Sequence, residues 1–326
     1  LAAISEGLGL FKKRFYPEPK LQSNSSAQTS YKNVIRKVTQ RFADLPEPLH
    51  EHALKALEVI KQLDKHKEIG LAAYYTNEYL DAPLAPRAVE ELGYLNILGW
   101  LAYHIYDEWL DEGSSRYPLA LAQLAWREVG SGLTNLCRGQ IPLHRWVKNI
   151  LDEVDISNSL ENLTARLIQT EHGITIPLFT TEEDSDKCKS IGHAIGVGTV
   201  FTLGSQARDS TLDAVSQFFR HYLTAKQLCD DIHDWEKDLL ALRLTPVTRA
   251  VLKQYQLEHP AITAINLESE MSVLRTIYWK QIMPEILSQA AEHTTKATSW
   301  CRDLPWQNKP EFFLNNLQQV QTAIQR

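Results

Sequence analysis

Glycine and proline are scarce, at 14 each in 326 residues, so the many tight turns of a sandwich, a barrel or an array of short strands are poorly supplied. Cysteine is scarcer still: Cys137, Cys188, Cys229 and Cys301 are the only four, widely spaced and without a CxxC or Cys/His cluster. That excludes a disulfide framework and a zinc site, and fits a reducing compartment such as the cytoplasm. No apolar run reaches the roughly eighteen residues that a membrane helix needs. Basic residues do not dominate either, since 34 Lys and Arg face 40 Asp and Glu for a formal charge of −6. The overall field repels a phosphate backbone, so a nucleic-acid partner is not expected. What the chain does have is 44% hydrophobic and 23% charged residues, enough to bury a large core.

The opening Leu1 is what a trimmed chain or one part of a longer polypeptide would show, and Leu1 to Leu10 is too weakly apolar for a signal-peptide core. A flexible arm and polar linker are expected over residues 1–30, with Pro17 to Ser30 as the turn-forming part. From residue 31 to 326 the pattern predicts one all-α domain, a single large helical bundle. Helices are predicted over 31–44, 47–64, 66–80, 85–112, 116–138, 143–152, 158–179, 187–206, 209–240, 246–256, 267–300 and 309–325. Apolar residues recur at spacings of three and four, as in Ala53, Leu54, Leu57, Ile60 and Leu63, and no strand is predicted. Pro46, Pro83, Pro118, Pro142 and Pro246 fall at or near the predicted boundaries.

Two segments stand apart. Tyr94 to Tyr106 is apolar nearly all round, as in a helix buried within a bundle, and runs directly into Asp107-Glu108-Trp109-Leu110-Asp111-Glu112. Phe218 to Cys229 likewise runs into Asp230-Asp231-Ile232-His233-Asp234-Trp235-Glu236-Lys237-Asp238. Residues four apart share a helix face, so Asp107 pairs with Asp111, while Asp230, Asp234 and Asp238 form a stripe. An acidic run is ordinarily a solvated helix end. Here the arrangement occurs twice, next to apolar helices, and stacked like charges require compensation. An oxygen-preferring divalent ion, above all Mg²⁺, supplies it while leaving positions for water and phosphate.

These residues resemble the class I isoprenoid synthases. The DDxxD motif of trans-prenyltransferases is similar to Asp107 to Glu112 followed by Arg116, and QxxDDxxD is matched by Gln227 to Asp234. The spaced metal triad of terpene cyclases is matched by Asp230, Asp234 and Asp238, with Lys237 as an accompanying lysine; Arg243, Thr245 and Pro246 resemble the segment that follows in prenyl and phytoene synthases. The resemblance implies an all-α isoprenoid synthase fold around a central cavity and a prenyl diphosphate substrate. It implies three Mg²⁺ ions held by Asp107, Glu108, Asp111, Asp230, Asp231, Asp234 and Asp238, and allows a homodimer. Arg116, Lys226, Lys237 and Arg243 become candidates for diphosphate contact, and Trp100, Tyr103, Phe218, Phe219, Tyr222 and Gln227 candidates for the cavity wall.

The chemistry suits those residue types. Ionising an allylic diphosphate needs neutralisation of the leaving group, and the carbocation then needs a dry pocket with aromatic faces. Departures bear on the fate of that cation. The basic GKxxRP motif and the KT pair, which hold a second diphosphate in elongating enzymes, are replaced by Lys65 to Gly70 without RP and by Gln169-Thr170. This favours a single-substrate cyclisation or elimination by a terpene synthase, with chain elongation or squalene/phytoene-type condensation as the alternative. Against a cyclase, its C-terminal arginine-tyrosine pair has only Trp300-Cys301-Arg302 as a weak counterpart. Remoter readings are an HD-type metal phosphohydrolase suggested by His233-Asp234, which His193 and His221 fit poorly, and a silent partner subunit. Gly192, Gly196, Gly198 and Gly204 fall in one predicted helix, which suggests either a kink beside a ligand or tight helix packing.

Overall fold

The long carboxylate-bearing segments become the two organising helices of a bundle. The computed structural model describes residues 25–64, 67–112, 114–171, 173–177, 190–205 and 209–325. Its helices are α1 (Ser25–Ala43), α2 (Leu49–Leu63), α3 (Glu68–Glu78), α4 (Pro86–Glu112), α5 (Leu119–Leu136) and α6 (Ile141–Thr164). They continue with α7 (Ala194–Ser205), α8 (Asp209–Leu240), α9 (Pro246–Glu258), α10 (Leu267–Ile277), α11 (Met283–Asp303) and α12 (Glu311–Ile324). The arm expected over 1–30 lies outside the described residues as far as residue 24, and α1 begins within the stretch read as linker.

Helix α4 is buried on every side in its middle, with Leu92, Leu98, Leu101 and Ile105 fully inaccessible, as its sequence predicts. Helix α8 buries one stripe, Leu212, Val215, Phe218, Tyr222, Ala225, Cys229, Ile232 and Leu239, at spacings of three, four and seven, and packs along α11. Local chemistry sets several boundaries. Thr245 caps α9 by accepting from the Thr248 amide, with Pro246 pre-set at the first helical position. The Asp64 carboxylate accepts from the Ile69 and Gly70 amides at 3.1 and 3.2 Å and so closes the start of α3.

Three expectations are corrected. Residues predicted as helices 143–152 and 158–179 form one longer α6 followed by a hairpin of β1 (Ile168–Thr170) and β2 (Gly173–Thr175). With β3 (Ala264–Ile265) these make a small antiparallel sheet in the order β1-β2-β3. Strands this short carry too little alternation to be seen in sequence. Gly173 has φ +118°, and a Cβ there would lie 2.2 Å from the Ile265 carbonyl oxygen, so β2 meets β3 through a residue that has to be glycine. The predicted helix 267–300 is interrupted by a π-helical turn at Tyr278–Ile282. There Tyr278 stacks on Trp235 with ring centroids 4.6 Å apart and donates to the Ile232 carbonyl at 2.8 Å, bracing the acidic part of α8.

Candidate active site

At the end of α4, Asp107 is half-buried. Glu108 is neutralised internally: Ser115 donates to it at 2.6 Å, while Arg116 and His104 stand at 3.4 and 3.5 Å. Asp111 and Glu112 close the helix, and their side chains lie outside the described residues. Arg116 is largely exposed beyond its contact with Glu108.

On α8 the aspartates separate by environment. Asp230 is exposed, Asp234 half-buried and Asp238 buried, the last with Arg243 at 3.8 Å. Asp231 is buried instead on the neighbouring face, where the Gln227 amide donates to it at 2.6 Å. Gln227 itself is exposed, as is Lys237, and neither lines the two cavities described below.

A backbone strap joins these two helix ends. Arg166, just before β1, forms an antiparallel bridge with Arg243; Leu167 donates to the Leu242 carbonyl and Leu244 to the Ala165 carbonyl, both at 2.8 Å. Leu242 takes the left-handed conformation, φ 60°, and the Arg243 amide turns back onto the Asp238 carbonyl at 2.8 Å. From the same strap the Arg166 guanidinium donates to the Leu110 carbonyl at 2.8 Å, in the last turns of α4. The two acidic segments, remote in sequence, are therefore tied to one short stretch of chain. Sequence reasoning missed Arg166, whose only signal was an isolated positive charge.

Beside this end lies an outer hollow of about 490 Å³ walled by Tyr106, Leu110, Asp155 and Asn158. It shares Tyr103, Trp126 and Val154 with an inner cavity of about 100 Å³. The inner cavity is apolar and aromatic, with Trp100 and Tyr103 from α4, Trp126 from α5 and Ile195 from α7. Its few polar walls are Asn96, Ser190 and His193. Asn96 donates to the Ile69 carbonyl at 3.4 Å, and the Tyr103 hydroxyl to Asn158 at 3.4 Å. The site thus gathers Trp100 and Tyr103 but not Phe218 and Phe219, which pack with Phe313 in a buried aromatic cluster. Gly192 lines the cavity, whereas a Cβ on Gly196 or Gly198 would run into Asn96 or Trp146 at 2.5 and 2.4 Å, so tight packing accounts for the latter two glycines.

Tyr222 and Lys226 belong to a second, closed polar group. Both donate to Glu68, at 3.2 and 3.3 Å, and the Lys226 ammonium also sits 5.5 Å over the Tyr222 ring. Burial opposes the Lys226 charge, but the Tyr222 and Glu68 oxygens outweigh it and hold the ammonium protonated. His193 feels this group: burial first, then the Lys226 charge, lowers its pKa to about 4, partly offset by Glu68. Glu68 and the basic side of His193 carry no sequence signal, because the contact joins α3, α8 and the turn before α7.

Among the described residues, no three His, Cys, Asp or Glu side chains converge to enclose an ion unaided. The donors nevertheless suit Mg²⁺, which takes one or two carboxylates per ion together with water and substrate phosphate oxygens. Exposed Asp230 and half-buried Asp234 and Asp107 have that character.

The helix order, with α4 and α8 at its centre, is an all-α fold shared with solved prenyl diphosphate synthases. The heptaprenyl diphosphate synthase of Staphylococcus aureus superposes with a TM-score of 0.65 at 11% identity, covering 92% of this chain and 98% of that one. A polyprenyl synthase from Caulobacter crescentus CB15, complexed with calcium and isoprenyl diphosphate, gives 0.68 at 12% identity over 93% and 96% of the two chains. A geranylgeranyl pyrophosphate synthase from Corynebacterium glutamicum, also complexed with calcium and isoprenyl diphosphate, gives 0.64 at 15% identity over 95% and 98%. No protein-family model and no curated protein matches the sequence.

Proposed function

We propose that this chain is a metal-dependent enzyme that ionises a prenyl diphosphate. The observation that carries the reading is the strap at Arg166 and Arg243, which ties together the ends of two separate acidic helices, with Leu110 of the α4 end also walling the outer hollow. Asp107, Asp111, Asp230, Asp234 and Asp238 would hold Mg²⁺; when bound, such ions neutralise the departing diphosphate. Arg116 and Arg243 add fixed positive charge at that end. Trp100, Tyr103 and Trp126 exclude water from the inner cavity and present ring faces to a cation.

The three solved structures named above are heptaprenyl, polyprenyl and geranylgeranyl diphosphate synthases, which favours prenyl transfer as the fate of the cation. One observation favours a second reading, single-substrate cyclisation or elimination by a terpene synthase. Where the resemblance expects an early basic motif for a second diphosphate, the chain places Glu68, and that carboxylate already occupies Lys226. The deciding experiment is incubation with geranyl, farnesyl and geranylgeranyl diphosphates and Mg²⁺, with and without isopentenyl diphosphate. Product that requires isopentenyl diphosphate establishes prenyl transfer, and hydrocarbon or alcohol formed without it establishes the lyase. No diphosphate release under either condition sinks the ionisation reading.

A further inference from the structure

We infer that His193 is the base that removes the proton from the carbocation formed in the inner cavity, an inference that rests on the ionisation reading above. His193 lines a cavity otherwise built mainly from Trp100, Tyr103, Trp126 and aliphatic groups. The other polar groups of that wall are weaker bases. The Tyr103 phenol donates to Asn158, the Asn96 amide donates to Ile69, and Ser190 offers an alcohol. Among the described lining residues the neutral imidazole is the group with a basic lone pair, and burial beside Lys226 holds it toward the neutral form. The turn Ile191–His193 is fixed at its start by the His193 amide donating to the Ser190 carbonyl at 3.2 Å, and it opens directly into α7, so the ring is carried on ordered backbone.

In the proposed step the C–H bond next to the cationic carbon breaks, and its electron pair becomes the new double bond. The proton goes to a ring nitrogen of His193, so positive charge moves from substrate to imidazolium and no oxidant is needed. Glu68 favours the imidazolium and Lys226 disfavours it. That balance makes the protonated ring a strong acid, ready to pass the proton to water or to the departing diphosphate. Proton loss to an alkene ends elimination, and the role belongs to that fate of the cation.

The test uses the full chain with His193→Leu and His193→Gln, measuring diphosphate release and, separately, products by gas chromatography with mass detection. Because a base acts here only after ionisation, release should stay within about threefold of wild type while the deprotonated product falls at least about tenfold in favour of alcohol or an isomeric alkene. An unchanged product ratio in a folded variant overturns the inference. So does loss of diphosphate release by about a hundredfold in both variants with helical circular dichroism intact, which would place His193 in binding or ionisation. His193→Gln keeps a polar side chain of similar size and carries the test if the leucine variant does not fold. A wild-type chain that releases no diphosphate from any substrate fails the ionisation reading itself, a result distinct from normal release with unchanged products.

Discussion

The two polar groups near the cavity are built on opposite plans. At the ends of α4 and α8, Asp107, Asp230 and Asp234 are of one sign and at least partly open to solvent. Around buried Tyr222, the half-buried Glu68 and Lys226 satisfy one another and the phenol with mixed charge. Carboxylates that share a helix face repel one another and a divalent ion relieves that repulsion, whereas in a mixed group the charges offset each other. On the reading proposed above, the open group is where a divalent cation and an anionic substrate would fit, while the charges of the closed group act on His193 in the cavity wall.

The largest expected effect breaks the open group. Asp107→Ala or Asp230→Ala should lower turnover by about a hundredfold or more while leaving helical circular dichroism unchanged. Wild-type turnover in either variant would refute the site assignment.

Next comes a pH comparison within the closed region. Asp64, buried close to Glu68, has a pKa raised to about 6 by burial. Its folded form binds the proton more tightly than the unfolded one, so its contribution to stability is full below about pH 4 and is lost as pH rises to about 6. His193 is depressed to about 4, so the unfolded chain binds the proton more tightly and stability is gained as pH rises from about 4 to 6.5. The two trends oppose each other in wild type. Relative to it, Asp64→Asn should gain stability more steeply as pH rises from 4 to 6, and His193→Leu should gain it less steeply or lose it. Each difference is on the order of 2–3 kcal/mol, read from urea unfolding. Parallel profiles in all three proteins would show that neither group titrates as placed.

A smaller effect separates two roles for Lys226. Its ammonium is committed to Glu68, but the side chain is 34% exposed, so Lys226→Met should cost only about 1–2 kcal/mol of stability. If KM for the prenyl diphosphate stays unchanged, Lys226 belongs to the closed group; a rise in KM without loss of stability would move it to the diphosphate site.

How much of this was legible in sequence follows the range of the interactions. The all-round apolar Tyr94 to Tyr106 and the stripe of α8 are one-helix properties, and both helices lie where their periodicity puts them. The acidic motifs are likewise local patterns. The hairpin was read as helix because three-residue strands hold no usable period, and their pairing partner, β3, comes from far along the chain. Gln227 and Phe218 looked like cavity residues because they adjoin the acidic motif or precede it on the same helix. The fold turned Gln227 onto Asp231 and Phe218 onto Phe313, contacts decided by neighbours and not by spacing. Glu68 and Arg166 stayed invisible for the same reason: each acquires meaning only through a partner on another element.

Arg166 gives the smallest and most specific test of the open group. Its guanidinium is bonded to the Leu110 carbonyl while its backbone is bridged to Arg243, so one residue spans both acidic segments. Arg166→Met removes the side-chain bond to the end of α4 but leaves the backbone bridge in place. One such hydrogen bond is worth about 1 kcal/mol, or roughly a fivefold change in an equilibrium constant. If the tie sets the spacing of the two carboxylate groups, that loss should appear as about a fivefold weaker affinity for Mg²⁺ and inorganic diphosphate by calorimetry, with the unfolding midpoint nearly unmoved. A lower unfolding midpoint with unchanged diphosphate affinity would reduce Arg166 to ordinary packing, and the two acidic segments would then be held in register by the backbone bridge alone.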